Sequence, residues 1–109
     1  MFTGYGAGYV MINQTRYEHS LIILPDSIKN WEAKTFEQLT PEHFESLLPF
    51  QPEMVLFGTG ATLRFPHPSM TKMVIASKIG VEVMDTSAAC RTYNILTAEG
   101  RRVAAALLL

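Results

Sequence analysis

The sequence is short of the materials that several kinds of function require. Its single cysteine, Cys90, excludes an intramolecular disulfide framework and fits a reducing compartment, so a cytoplasmic protein is expected. No block of like charge exceeds the Arg101-Arg102 pair, and nine Lys+Arg against ten Asp+Glu leave a net charge of -1. That balance favours neither nucleic acid nor an anionic membrane surface as a partner. The longest apolar run, Val103 to Leu109, falls far short of the ~20 residues that cross a bilayer. The start, MFTGYGAGYV, shows no basic region followed by an apolar one, so neither a signal peptide nor membrane insertion is expected.

Catalytic and metal chemistry lack material too. His19, His43, His67 and Cys90 stand singly, without the close spacing of a zinc site. Asp85 has no second carboxylate beside it for acid–base work. A Cys–His nucleophile pair would need Cys90 to meet His67 or His19 across the fold, whereas an isolated cysteine more often serves as a small buried hydrophobe. No catalytic residue, metal or cofactor is assigned. Gly4, Gly6 and Gly8 are not a dinucleotide loop, because no strand precedes them and a strand, not a helix, follows. They are expected to form a flexible or tightly turning arm.

What is present is an alternation of strands and helices. With 109 residues, 48% hydrophobic and 17% charged, the chain is expected to form one domain spanning 1–109. Tyr9 to Ile12 and Arg16 to Leu24 flank a polar break at Asn13-Gln14-Thr15 and read as a β-hairpin. Ile28 and Trp31 suggest an edge strand or loop anchored by the indole. Thr40-Pro41-Glu42 starts a helix that should run to about Leu48, before Pro49, with Phe44, Leu47 and Leu48 facing inward. Met54 to Phe57, uniformly apolar, reads as a central parallel strand. A helix over about Met70 to Lys78 should bury Met73, Val74 and Ile75 and stop at Gly80. Val81 to Met84 is predicted beside Met54 to Phe57 in the sheet centre, followed by a helix from Asp85 or Thr86 and a last strand over Arg101 to Leu109. The fold class is thus α/β: three layers, a mixed central sheet with parallel core strands, an N-terminal β-hairpin and about three helices.

Two strand ends, near Thr59 and Thr86, should open on one edge of the sheet, where open α/β folds bind ligands. The free amides of a helix start suit an anion, and glycines allow close approach of the backbone. At about 100° per residue, Ala88, Ala89, Thr92, Ile95 and Leu96 should pack while Cys90, Arg91, Asn94 and Thr97 face outward. The candidate ligand-binding set is Gly58, Thr59, Gly60, Asp85, Thr86, Cys90, Arg91 and Asn94. The plainer alternative is that Asp85 or Thr86 caps the helix and Arg91 is a solvated charge.

Three stretches together carry a resemblance. They are the N-terminal Gly-Tyr-Gly with RYEHS at Arg16 to Ser20, the Gly58-Thr59-Gly60 turn with RFPHP at Arg64 to Pro68, and VEVMDTSAACRTYNIL with EGRRVAAAL. From Gly4 to Leu107 the chain resembles a family of small domains of unknown function, widespread in bacteria and archaea. That family includes a mitochondrial respiratory complex I assembly factor and an adipogenesis-associated protein. The resemblance implies a three-layer α/β fold with a packed hairpin, and no reaction. Asn13-Gln14 stands where Asn-Gly would be expected, which suggests a longer turn. Two function classes follow. One is a protein-interaction or assembly-factor-like module, which should expose an apolar or aromatic patch. The other is a small anionic-ligand domain or enzyme using the mouth between Gly58–Gly60 and the Thr86 helix. Leu107-Leu108-Leu109 and a free hairpin edge also predict a homo-oligomer.

Overall fold

The computed structural model describes residues 1–109. Three short strands, β1 (Phe2–Gly6), β2 (Tyr9–Ile12) and β3 (Thr15–Tyr17), form an antiparallel meander. A second sheet contains β4 (Leu21–Leu24), β5 (Ser27–Asn30), β6 (Met54–Gly58), β7 (Gly80–Met84) and β8 (Val103–Leu107), in the order β5-β4-β8-β6-β7. Helices α1 (Pro41–Glu45), α2 (Pro68–Ala76) and α3 (Thr86–Ala98) complete the fold. β6 runs parallel to both β7 and β8, while β4 is antiparallel to β8, so the larger sheet is mixed.

Side-chain alternation along the strands divides the interior in two. Ile22, Leu24, Val55, Phe57, Ala104 and Ala106 face a layer built by α1, α2 and the connecting loops. Leu21, Ile23, Leu56, Ala105 and Leu107 face α3 and the three-stranded sheet. The first side is aromatic: the Phe44 and Phe57 rings meet edge to face at 5.0 Å, and Trp31 packs on both. The Trp31 indole N–H donates to the His43 carbonyl at 3.0 Å, tying the loop after β5 to α1.

The predicted hairpin is corrected in its second strand. Glu18-His19-Ser20 breaks the run, so Thr15–Tyr17 stays in the small sheet and Leu21–Leu24 crosses to the large one. The four apolar residues of β4 are buried because that sheet is covered on both faces. The glycine-rich start is itself a strand, paired from Phe2↔Ile12 to Gly6↔Tyr9. The turn at Asn13-Gln14 is not lengthened: Ile12 pairs with Thr15, and both turn residues take positive φ, 49° and 74°.

Val81 to Met84 is strand and lies parallel to β6, but it forms the edge of the sheet rather than its centre. Its alternation around the exposed Glu82 is the reason, since a charged side chain fits an edge and not a doubly covered strand. β8 takes the central place between β4 and β6, with all five residues buried. Its alanines let both covering layers approach closely.

Helix boundaries also shift. α1 ends at Glu45 and is followed by a single 3-10 turn at Leu48–Phe50. α2 buries Thr71 and Val74 but leaves Met73 50% and Ile75 57% exposed, against the predicted inward face. Lys78, with φ 64°, rather than Gly80, takes the left-handed position that ends the helix. Leu107 and Leu108 are buried within the subunit and Leu109 partly so, which removes the terminal leucines as a motive for oligomerisation.

Candidate functional site

β6 and β7 end side by side in register, Gly58 opposite Met84, and bring Gly58-Thr59-Gly60 against the start of α3. Thr86 joins them. Its hydroxyl donates to the Leu108 carbonyl at 2.7 Å and accepts from the Gly60 N–H at 2.8 Å, while its own N–H donates to the Gly60 carbonyl at 2.9 Å. A Cβ on Gly58 would lie 2.8 Å from Leu107 Cδ2 and 2.9 Å from Thr86 Oγ1, so only glycine fits this crossing. Gly60 has φ 100°, again a glycine conformation. Thr59 closes its own loop: its hydroxyl donates to the Thr62 carbonyl at 2.6 Å and accepts from the Arg64 N–H at 3.2 Å.

The helix start is occupied by the protein itself. Asp85 Oδ1 accepts from the Ala88 N–H at 2.8 Å, and the Asp85 carbonyl accepts from Ala89 at 3.0 Å. The cavity beside Thr86, Ser87, Gly60 and Tyr5 is about 100 Å³, below the several hundred Å³ typical of small-molecule sites. By contrast, an open depression near His19, Ser20 and Trp31 measures about 420 Å³.

Gly58, Thr59, Gly60, Asp85 and Thr86 are thus brought together, whereas Cys90, Arg91 and Asn94 point elsewhere. The predicted faces of α3 require correction. The helix packs on β6, β8 and β1 at once, so its buried stripe is Thr86, Ala89, Cys90 and Tyr93, and Ile95 is 60% exposed. Cys90 is fully buried, and that burial pushes its thiol up to about 12, leaving it protonated and unreactive at neutral pH. Asn94 clasps the backbone of Phe2, accepting from its N–H at 3.0 Å and donating to its carbonyl at 2.9 Å. The Arg91 guanidinium donates to the Tyr5 hydroxyl at 2.9 Å. Both side chains fasten β1 to α3. Sequence reasoning missed these partners because Phe2 to Gly6 carries three glycine and threonine positions and little strand signal.

His67 caps α2 instead of facing a thiol, its Nδ1 accepting from the Ser69 N–H at 3.1 Å. Arg64 lies over the Phe36 ring at 4.1 Å and pairs with Glu37 at 2.7 Å, which holds the Glu37 carboxyl below its usual range. The loop leading into α2 nevertheless exposes Leu63 by 50% and Phe65 by 73%.

This mixed sheet with a packed meander and a self-capped strand-to-helix crossing defines a small α/β domain. Residues 2–108 match the family model described as a protein of unknown function (DUF498/DUF598), and the chain belongs to that family. Among solved structures, a Bordetella parapertussis protein superposes with a TM-score of 0.93 at 39% identity, covering 99% of this chain and 93% of the other. The Bos taurus protein named NADH dehydrogenase [ubiquinone] 1 alpha subcomplex assembly factor 3 is 32% identical over 95% of this chain and 58% of its own length. A Francisella tularensis protein named 13 kDa major membrane protein is 27% identical over 98% of this chain and 89% of its own. The chain therefore spans little more than half of the assembly factor. No helix here is long and apolar enough to cross a membrane.

Proposed function

We propose that the protein is an assembly-factor-like interaction module that holds a partner protein on the loop before α2 and on α2 itself. One observation carries this: within residues 63–75, Leu63, Phe65, Met73 and Ile75 are each at least half exposed. Exposed aliphatic and aromatic side chains concentrated in one short segment mark protein contact surfaces. Arg64, stacked on Phe36 and paired with Glu37, holds the loop so that Phe65 stays outward. The assembly-factor names of the relatives support the same reading. The proposal includes a cytoplasmic location, no membrane insertion and no catalytic step. A second copy of the chain on the same segment would make the module a homo-oligomer.

An anionic ligand at the Thr86 helix start is the other proposal, and Ser87, at the rim of the small cavity, is its remaining support. Such a ligand would have to displace the Asp85 cap.

To test the first, a photo-reactive phenylalanine analogue is placed at position 65 or 75, with position 99 as control, and adducts formed in cells are identified by mass spectrometry. One reproducible protein partner at 65 and 75, absent at 99, supports the module. Adducts spread equally over the three positions, or none, would sink it.

A further inference from the structure

β7 is the least guarded sheet edge of the molecule. It bonds to β6 along one side and to no strand along the other. The remaining edge strands carry familiar protections against pairing with another chain. β1 is interrupted by a register shift between Phe2 and Gly4, β3 has three residues and carries Arg16, and β5 carries Lys29. β7 has five residues, no proline and an unbroken register from Met54↔Gly80 to Gly58↔Met84. Two hydrogen bonds fix which way its backbone faces. The Gly80 N–H donates to the Glu53 carbonyl at 3.3 Å, and the Met84 carbonyl accepts from the Thr59 N–H at 2.9 Å. Along a strand the N–H and C=O of one residue point to the same side and successive residues alternate, so Gly80, Glu82 and Met84 face β6. The N–H and C=O groups of Val81 and Val83 therefore point outward, two donors and two acceptors at strand spacing.

The side chains of the strand divide by face. Val81 and Val83 lie half-buried on the α2 side, packed against the core that holds Trp31, Phe44 and Phe57. Glu82 lies on the other face, exposed, and its carboxylate takes part in none of the three salt bridges of the fold. We propose that β7 accepts an extended segment of a partner protein as a further strand, with aliphatic residues opposite Val81 and Val83 and a Lys or Arg opposite Glu82. Main-chain hydrogen bonds to the outward groups supply the attachment, and alternate side chains supply the choice of segment. The two valines offer apolar cross-strand neighbours, and the unpaired carboxylate matches a cation on the opposite face. The edge adjoins α2, which packs on β7. It stands on the strand's own backbone, apart from the exposed side chains of residues 63–75.

The test titrates the peptide STVKVTS and its counterpart STVEVTS into isotope-labelled protein and follows backbone amides by NMR. With the lysine peptide the Val81 and Val83 amides should move downfield saturably as they gain acceptors, while those of Gly80 and Glu82, already bonded to β6, move much less. The lysine peptide should bind about threefold or more tighter than the glutamate peptide, and Glu82→Lys should reverse that order. Val83→Pro deletes one outward donor at a position where an edge strand tolerates proline, so it should stay folded and lose the binding. If that variant unfolds, the reversal by Glu82→Lys decides alone. No saturable shift, equal movement of the inward amides, or an order unchanged by Glu82→Lys overturns the proposal. So does full binding by a folded Val83→Pro, or a concentration-dependent dimer of the parent that Val83→Pro abolishes, which would assign the edge to a second copy of the chain. Crosslinking at positions 65 and 75 is decided separately, because neither residue lies on β7.

Discussion

α2 and α3 each follow a parallel strand, yet they are used differently. α3 is thirteen residues long, capped by Asp85, wedged among β1, β6 and β8, and clasped to Phe2 by Asn94. α2 has nine residues, packs on α1 and the edge strand β7, and turns Met73 and Ile75 to solvent. The polar residues that look most like a site sit on the first helix, where nearly all of them are spent on the fold. The unspent side chains sit on the second. Hydrogen-bonding capacity already satisfied inside the protein cannot also bind a ligand, whereas exposed apolar area has no internal partner to give up.

Substitutions can break or sharpen that contrast. The largest loss is expected on the α3 side of the sheet: Leu56 is fully buried, and Leu56→Ala should cost about 2–5 kcal/mol in urea denaturation. Thr86→Val keeps the shape but strips the Leu108 carbonyl and the Gly60 amide of their partner, so a loss of about 2 kcal/mol is expected by the same measurement. A loss well under half of that would show the crossing to be looser than its geometry implies.

Cys90 supplies a pH-dependent check on the same helix. Burial raises its thiol from 9.0 to about 12 in the folded protein, so between those values the unfolded chain releases a proton that the native state keeps. The stability is therefore complete below about pH 9 and declines as pH rises toward about 12. The urea midpoint of the parent should approach that of Cys90→Ala across this range, and a constant gap would contradict the buried neutral thiol. Asp85→Ala, which removes a helix cap, should cost about 1 kcal/mol in thermal unfolding. On α2 the effect should nearly vanish: Met73→Ser and Ile75→Ser are each expected within about 0.5 kcal/mol of the parent.

Much of the fold was legible because strand and helix periods survive in single segments. Met54 to Phe57, the Thr40-Pro41 start, the Asp85 cap and the strand after Gly100 all follow from local pattern. The position of β7 was less visible, since apolar Val81 and Val83 outweighed Glu82 in a reading that looks only along the chain. The face of α3 failed for a related reason. A helix held between two sheets buries a stripe that tertiary packing chooses, and so Cys90 and Tyr93 turn in while Ile95 turns out. The meeting of Gly58–Gly60 with Thr86 was foreseeable from two parallel strand ends. The use of Asn94 and Arg91 to hold β1 was not, because it depends on contacts 92 and 86 residues apart.

The division between a structural α3 and an α2 proposed to hold a partner is tested most directly by affinity. With the partner identified by crosslinking and purified, its dissociation constant is measured for the parent, for Phe65→Ser/Ile75→Ser and for Arg91→Ala. Loss of two exposed anchors should weaken binding at least tenfold, about 1.4 kcal/mol, with the melting temperature unchanged, while Arg91→Ala stays within about twofold. Full binding by the double variant together with loss in Arg91→Ala would place the partner on α3 and contradict the division.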